Sequence, residues 1–141
     1  MDRAPAIDPD ELRRARERAG LTQLQLALRI GVVGGERISS WERGLSRPRT
    51  PTLLHALARA LNLPVTSLLA VPVGGPDLRW LRFAAGLSAA ELARATGVSV
   101  TTIHRWENGH LERRLPSEVV EALAQALKIP PWQVEAAVNP R

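Results

Sequence analysis

The chain has no cysteine and no tyrosine, a single phenylalanine and a single methionine among its 141 residues. Without cysteine, neither a disulfide framework nor a thiolate metal site is available. Aromatics are 4% and hydrophobic residues 45% of the chain, so the core must be built mostly of Leu, Ala and Val, which favours helices. No apolar run approaches the ~18 residues needed to span a bilayer. The N-terminal stretch "MDRAPAIDPDE" lacks the apolar block of a signal peptide. A soluble cytoplasmic protein with no membrane partner is expected. His55, His104 and His110 show no ligand spacing, and neither a phosphate loop nor a nucleophile motif is present. No enzyme activity, cofactor, metal or small-molecule substrate is therefore expected.

Lysine is also nearly missing: of 19 basic residues only Lys128 is not arginine, and the net charge is +5. Arginine suits phosphate because its planar fork makes two hydrogen bonds at once. A GC-rich coding bias gives the same excess, so composition is compatible with nucleic acid without establishing it. The charge is uneven. Residues 1–70 carry eleven Arg against seven acids, net +4, and residues 71–141 carry eight basic residues against seven acids, net +1.

The chain repeats itself. "LRRARERAGLTQLQLALRIG" (12–31) lies over "LRWLRFAAGLSAAELARATG" (78–97) without a gap, and "LLHALARALNLPVTSLL" (53–69) over "VVEALAQALKIPPWQVE" (119–135). A self-match of this length means two supersecondary units in series. The Pro/Gly-rich stretch "AVPVGGPD" (70–77) separates them. The predicted organisation is a first domain over 1–70, a linker over 71–77 and a second domain over 78–141.

Each copy punctuates itself as five short helices. Asp8 caps the first, Pro9 fits its first position, Glu11 completes a capping box and Gly20 ends it. Thr22 with Gln25, and Ser88 with Glu91, form boxes for the second helices, which Gly31 and Gly97 close. Asp77 and Ser99 cap the first and third helices of the second copy, and Gly86 and Gly109 end them. Fourth helices are predicted near 51–61 and 117–127, and short fifth ones near 65–70 and 131–138. Leu21, Leu24, Ala27 and Leu28, and Leu87, Ala90, Leu92 and Ala93, recur at helical intervals. The fold class expected is all-α.

A second helix, a tight turn, then a third helix ending "WERG" (41–44) or "WENG" (106–109) is a helix-turn-helix pattern. Together with "LTQLQLA" and "LSAAELA", these motifs resemble, twice over, the Cro and phage-repressor type of helix-turn-helix domain, the XRE family. The resemblance covers roughly 9–70 and 77–138. It implies two tandem five-helix domains, double-stranded DNA as partner, and a third helix entering the major groove. On the reading face it places Val100, Thr101, Thr102 and Arg105 in copy two, with His104 beside them at phosphate. In copy one that face becomes Gly35, Glu36, Arg37 and Ser40. The N terminus of the second helix faces phosphate in this family, which nominates Thr22, Gln23 and Ser88; Ala89 stands where copy one has Gln23. Arg43, Arg47 and Arg49 after the first reading helix, and Arg113 and Arg114 after the second, are further phosphate candidates. The resemblance also implies buried ion pairs, Arg16 with Glu42 and Arg82 with Glu107. Trp41, Trp106 and the two Glu are then structural and do not touch bases.

The copies differ at one turn. From Gly31 to Trp41 is ten steps, and from Gly97 to Trp106 nine; the extra residue lies in "VVGGER" (32–37). Two glycines are expected to absorb it with positive φ angles, at the cost of an uncapped helix start. Copy one thus has the better electrostatics and a blunted reader, and copy two a well-formed reader with weaker electrostatics. One reading is a division of labour: copy one anchors on backbone while copy two adds sequence contacts. The other is that one copy has lost DNA and serves as a dimer or partner surface. The function expected is a sequence-specific DNA-binding transcriptional regulator acting as a repressor, nucleoid-associated when bound. The alternative is an interaction adaptor or antitoxin-like protein, with Trp80 and Trp132 of the second domain as candidates for its partner patch, although core packing or packing between the copies is the favoured expectation for both. An eight-residue linker reaches at most about 28 Å at ~3.5 Å per residue, against ~34 Å between readers one DNA turn apart. A homodimer on a longer site is the other arrangement.

Overall fold

A computed structural model describes residues 4–139. Within them lie ten α-helices: α1 Pro9–Arg18, α2 Gln23–Ile30, α3 Glu36–Glu42, α4 Pro51–Ala60, α5 Val65–Leu68, α6 Leu78–Ala85, α7 Ala89–Thr96, α8 Val100–Glu107, α9 Ser117–Leu127 and α10 Pro131–Val138. Among the described residues the only extended pairing is a single antiparallel bridge between Ile7 and Leu69. The chain divides into two compact units, with the division between Val71 and Pro72. Ala70 still belongs to the first, since its N–H donates to the Ala6 carbonyl at 2.9 Å.

In the first unit, α1 starts at Asp8, whose carboxylate accepts from the N–H groups of Asp10 and Glu11 at 3.1 Å. The reciprocal half of the expected capping box is not made. The Asp8 N–H donates instead to the Leu68 carbonyl at 2.8 Å, and Glu11 turns to Arg14 and Arg18. Tying the N-terminal segment to the end of α5 satisfies a backbone donor that a side chain would otherwise serve. Leu12, Leu26, Ile38, Trp41, Leu54, Leu57 and Leu68 fill the core. The inward face of α2 differs from the spacing-based expectation: Leu26 and Ala27 are buried, whereas Leu24 and Leu28 lie 53% and 68% exposed. Ala27 is covered as its spacing implies, but the covered arc extends to its neighbour Leu26 rather than to Leu24 and Leu28, and the packing helices decide that arc. In the second unit Ala90 is likewise exposed, and Leu92 occupies the interior.

The second unit repeats the plan around Leu78, Leu81, Phe83, Leu92, Ile103, Leu123 and Val134. Its α10 runs eight residues where α5 has four. The end of α10 is fastened by Asn139, which is buried. Its side chain accepts from the Leu115 N–H at 2.9 Å and donates to the Leu115 carbonyl at 3.3 Å, a two-way clasp on the segment leading into α9. Trp80 is buried and Trp132 is 68% exposed.

The extra residue of the first unit behaves differently from the expectation. Gly34 takes a positive φ of 73°, but Gly35 has φ −84° and sits as the uncapped start of α3. Its lack of a side chain serves close approach instead. A Cβ there would lie 3.2 Å from the Leu24 nitrogen and 3.3 Å from the Gln23 carbonyl carbon. The lengthened turn is thereby pressed onto the first turn of α2, and α3 begins one residue late.

Candidate nucleic-acid interface

The two third helices are built unequally. The Ser99 hydroxyl accepts from the Thr102 N–H at 3.1 Å and donates to the Thr102 hydroxyl at 2.9 Å, so α8 starts with a satisfied cap. Beyond that cap Val100, Thr101 and Arg105 are exposed along the helix, Thr102 and His104 are half-buried, and Ile103 is fully buried. Arg105, Thr101 and Val100 thus form the free outer edge, while Thr102 is committed to the cap. In the first unit α3 has no side-chain cap. Glu36 and Arg37 are exposed, but the Ser40 hydroxyl is hydrogen-bonded to that of Ser46 at 2.7 Å. The Glu36 carboxylate folds back over Gly34.

Behind each third helix sits a buried ion pair. Arg16 Nε and Nη2 donate to the Glu42 carboxylate at 2.5 and 3.0 Å, and Arg82 repeats the fork onto Glu107 at 2.6 and 3.0 Å. In both, the remaining guanidinium nitrogen donates to the carbonyl that opens the next helix, Leu21 or Leu87. The hydrogen bond to Glu42, with its charge, raises the Arg16 pKa above its ordinary value against the opposing effect of burial. The pair fixes three segments together: the first helix, the start of the second and the end of the third.

The second oxygen of each carboxylate is served differently. Gln23 donates to Glu42 Oε1 at 3.2 Å. With Ala89 in that place, the second unit recruits Arg79, whose Nε lies 3.4 Å from Glu107 Oε1 and whose Nη2 donates to Asn108 at 2.9 Å. Ala89 reveals the missing amide in the sequence, but its replacement was not anticipated there. The signal was there: Arg79 lies three residues before Arg82 and so on the same face of α6. Its counterpart Arg13 pairs at the surface with Asp10.

The second helices carry capping boxes of different charge. Thr22 and Gln25 exchange hydrogen bonds at 2.9 and 3.0 Å, as Ser88 and Glu91 do at 2.8 and 3.0 Å. Gln25 is neutral. Glu91 is a carboxylate whose pKa is lowered by the hydrogen bond from the Ser88 backbone, so it stays charged at the N terminus of α7. That acid complements the helix dipole and opposes an approaching phosphate.

The loops after the third helices differ in the same sense. In the first unit Arg37, Arg47 and Arg49 surround an open cleft of about 470 Å³ floored by Trp41 and Leu53. Arg47 is oriented by donating to the Ala4 carbonyl at 2.8 Å, and exposed Arg43 lies at the end of α3. In the second unit Arg113 is exposed, but Arg114 is paired with Glu135 and donates to the Asn139 carbonyl. Arg114 therefore helps hold α10. Trp106 is half-buried where Trp41 is 2% exposed; buried Pro48 belongs to the shorter first loop.

Two family models match the sequence and between them cover most of the chain: one described as helix-turn-helix over residues 12–68, the other as helix-turn-helix domain over residues 75–137. The chain is a tandem helix-turn-helix protein of the XRE type. No curated protein and no solved structure matches it. Helix-turn-helix domains of this kind bind DNA and regulate transcription, and that is the kind of function the XRE-type protein has. Among its described residues no helix is long and apolar enough to cross a membrane, and no acidic, histidine or cysteine cluster could hold a metal ion.

Proposed function

We propose that the XRE-type protein is a sequence-specific transcriptional repressor in which the second unit reads bases and the first grips the phosphate backbone. The observation that carries this reading is the contrast between α8 and α3. A capped α8 presents Val100, Thr101 and Arg105 outward, with His104 at the side, whereas α3 is uncapped and has Ser40 tied down. Arg105 can fork onto guanine O6 and N7, and the methyls of Val100 and Thr101 can meet a thymine methyl. The first unit instead offers Arg37, Arg47 and Arg49 around one cleft, Arg43 nearby and a neutral capping box at Thr22. Phosphate contacts position the protein, and base contacts specify the site. Linking the two raises the local concentration of each near DNA. Repression is the sign we assign because occupying a promoter needs only the reading helices.

The test is selection of bound fragments from random duplex DNA, followed by titration of the selected and random sequences. Arg105→Ala is expected to weaken binding to the selected site by about 1–3 kcal/mol and to leave random DNA unchanged. Arg49→Ala is expected to weaken both equally and to lower the salt slope by about one unit. Specific binding unchanged by Arg105→Ala would refute the assignment of the reader.

A further inference from the structure

The arginine cleft of the first unit concentrates more charge than a single phosphodiester answers. Arg37 on α3 and Arg47 and Arg49 on the loop after it surround the hollow, and no carboxylate lines it among the described residues. None of the three makes an ion pair among those residues, whereas Arg13, Arg14, Arg16 and Arg18 of α1 are all paired. Like charges around one hollow repel each other and focus a positive potential inside it. The loop cannot relax that repulsion away, because it is pinned along its length. Arg47 donates to the Ala4 carbonyl, and Ser46 is bonded to Ser40 of α3. Pro48 is buried, and Thr50 caps α4 by accepting from the Leu53 N–H at 3.1 Å.

We propose that this cleft binds a free compact polyphosphate, several negative charges on adjacent phosphates, and that its occupancy releases the protein from DNA. The release rests on the reading that the first unit grips the backbone through these same arginines. A backbone phosphate brings one charge, whereas a polyphosphate sets several within one hollow and answers all three guanidiniums together. The volume of about 470 Å³ falls in the range of small-molecule sites, roughly 300–1,000 Å³. Guanidinium forks take phosphate oxygens two at a time. The Thr50 oxygen accepts from Leu53 and leaves its own hydrogen to donate. Holding Arg47 in place beforehand lowers the cost of ordering the site. Arg37 belongs to the third helix as well as to the cleft, so bound anion and DNA strand compete for the same cations. The corresponding loop of the second unit has Glu112 in its wall and Arg114 tied to Glu135, which confines the site to the first unit. Inorganic polyphosphate and a nucleoside triphosphate share this chemistry. Trp41, 2% exposed, gives a base only a narrow apolar floor beside Leu53.

The experiment is calorimetric titration of the full chain, without DNA or divalent cations, with tripolyphosphate, ATP and adenosine, against sulfate at matched ionic strength. Saturable binding of one tripolyphosphate per chain, with Kd below about 1 mM, is expected, and none of adenosine. ATP binding tighter than tripolyphosphate assigns the nucleotide; equal or weaker binding assigns the inorganic chain. Arg37→Ala, Arg47→Ala and Arg49→Ala should each raise the Kd by about tenfold, the loss of one charge-assisted contact, with the circular-dichroism spectrum unchanged. Arg43→Ala, outside the cleft, and Arg113→Ala, in the other unit, should change it by less than about threefold. Tripolyphosphate at ten times its Kd should weaken binding to random duplex DNA by about tenfold, and sulfate of equal ionic strength by much less. Binding that does not saturate, or that falls as much with Arg43→Ala or Arg113→Ala, is diffuse ionic attraction and overturns the proposal. Saturable binding in the cleft that leaves DNA affinity untouched overturns the release. The backbone-grip reading fails separately: Arg49→Ala would then leave random-DNA affinity unchanged while still weakening tripolyphosphate.

Discussion

Replacing Arg79 with methionine tests how the second unit copes with Ala89. Glu107 has no exposed side-chain surface, and Arg82 is 3% and Arg79 11% exposed. Methionine keeps most of the aliphatic stem and removes the charge together with the bond to Asn108. At an effective dielectric near 20 the attraction across the Arg79–Glu107 gap is about 5 kcal/mol, and desolvating the guanidinium offsets most of it. Arg82 keeps its fork on Glu107, so the carboxylate is not stranded and the ~3–5 kcal/mol of a broken buried pair does not apply. A net loss of about 1–2 kcal/mol remains, equivalent to roughly 4–16 °C in the melting temperature of a domain this size. Ala89→Gln in the same background rebuilds the first unit's arrangement, where Gln23 reaches Glu42 at 3.2 Å. It should recover about 1 kcal/mol, a typical net hydrogen bond. Thermal and urea unfolding followed by circular dichroism, with hydrogen exchange resolved by peptide, give the cycle for the second unit alone. Asn108→Ala controls for the exposed bond between Arg79 and Asn108. If Arg79→Met is neutral, or Ala89→Gln adds nothing to it, the proposed replacement of an amide by an arginine is wrong.

Three further outcomes follow from the same geometry. Glu91→Gln should strengthen binding to random duplex DNA several-fold at low salt, because it removes a charge held at the α7 N terminus; an unchanged affinity across a salt titration would place α7 away from phosphate. The lowered pKa of Glu91 means its contribution to stability is fully present above the unfolded carboxyl pKa of ~4.3 and disappears as pH falls through the lower folded value. A carbon-detected NMR titration should find the Glu91 midpoint below the ordinary glutamate range. Gly35→Ala should destabilise the first unit by about 1–3 kcal/mol, since its Cβ meets the α2 backbone at 3.2–3.3 Å in a conformation alanine otherwise tolerates. Urea denaturation reads this, and a stabilised variant would show that α2 yields freely.

Much of the architecture was legible without coordinates. The repeat, the capping residues and the glycine stops located the helices, because caps and left-handed ends are local chemistry: a hydroxyl serving an amide three residues on, or a residue without a Cβ at positive φ. The all-α class followed from the same local marks, and the XRE-type family from the resemblance carried by "WERG" and "WENG" with "LTQLQLA" and "LSAAELA". The candidate site was legible as a set of residues but not as a set of states. That Ser40, Thr102 and Arg114 are already spent on Ser46, Ser99 and Glu135 depends on partners from six to twenty-one residues away in the first and last cases, and on hydroxyl direction in the other. Spacing does not encode either.

By itself, then, the sequence determined where the capped helices begin, where the glycine-stopped ones end, and that the chain says one thing twice. Only tertiary structure decided which arc of α2 is covered, burying Leu26 beside Ala27 and leaving Leu24 and Leu28 outside. It also decided that Gly35 serves close packing and that an arginine from α6 stands in for a missing glutamine. The physical reason is common to all three. Helix propensity and capping act over a few bonds along the chain, whereas burial, close approach and charge pairing act across space between segments that the sequence order does not place side by side.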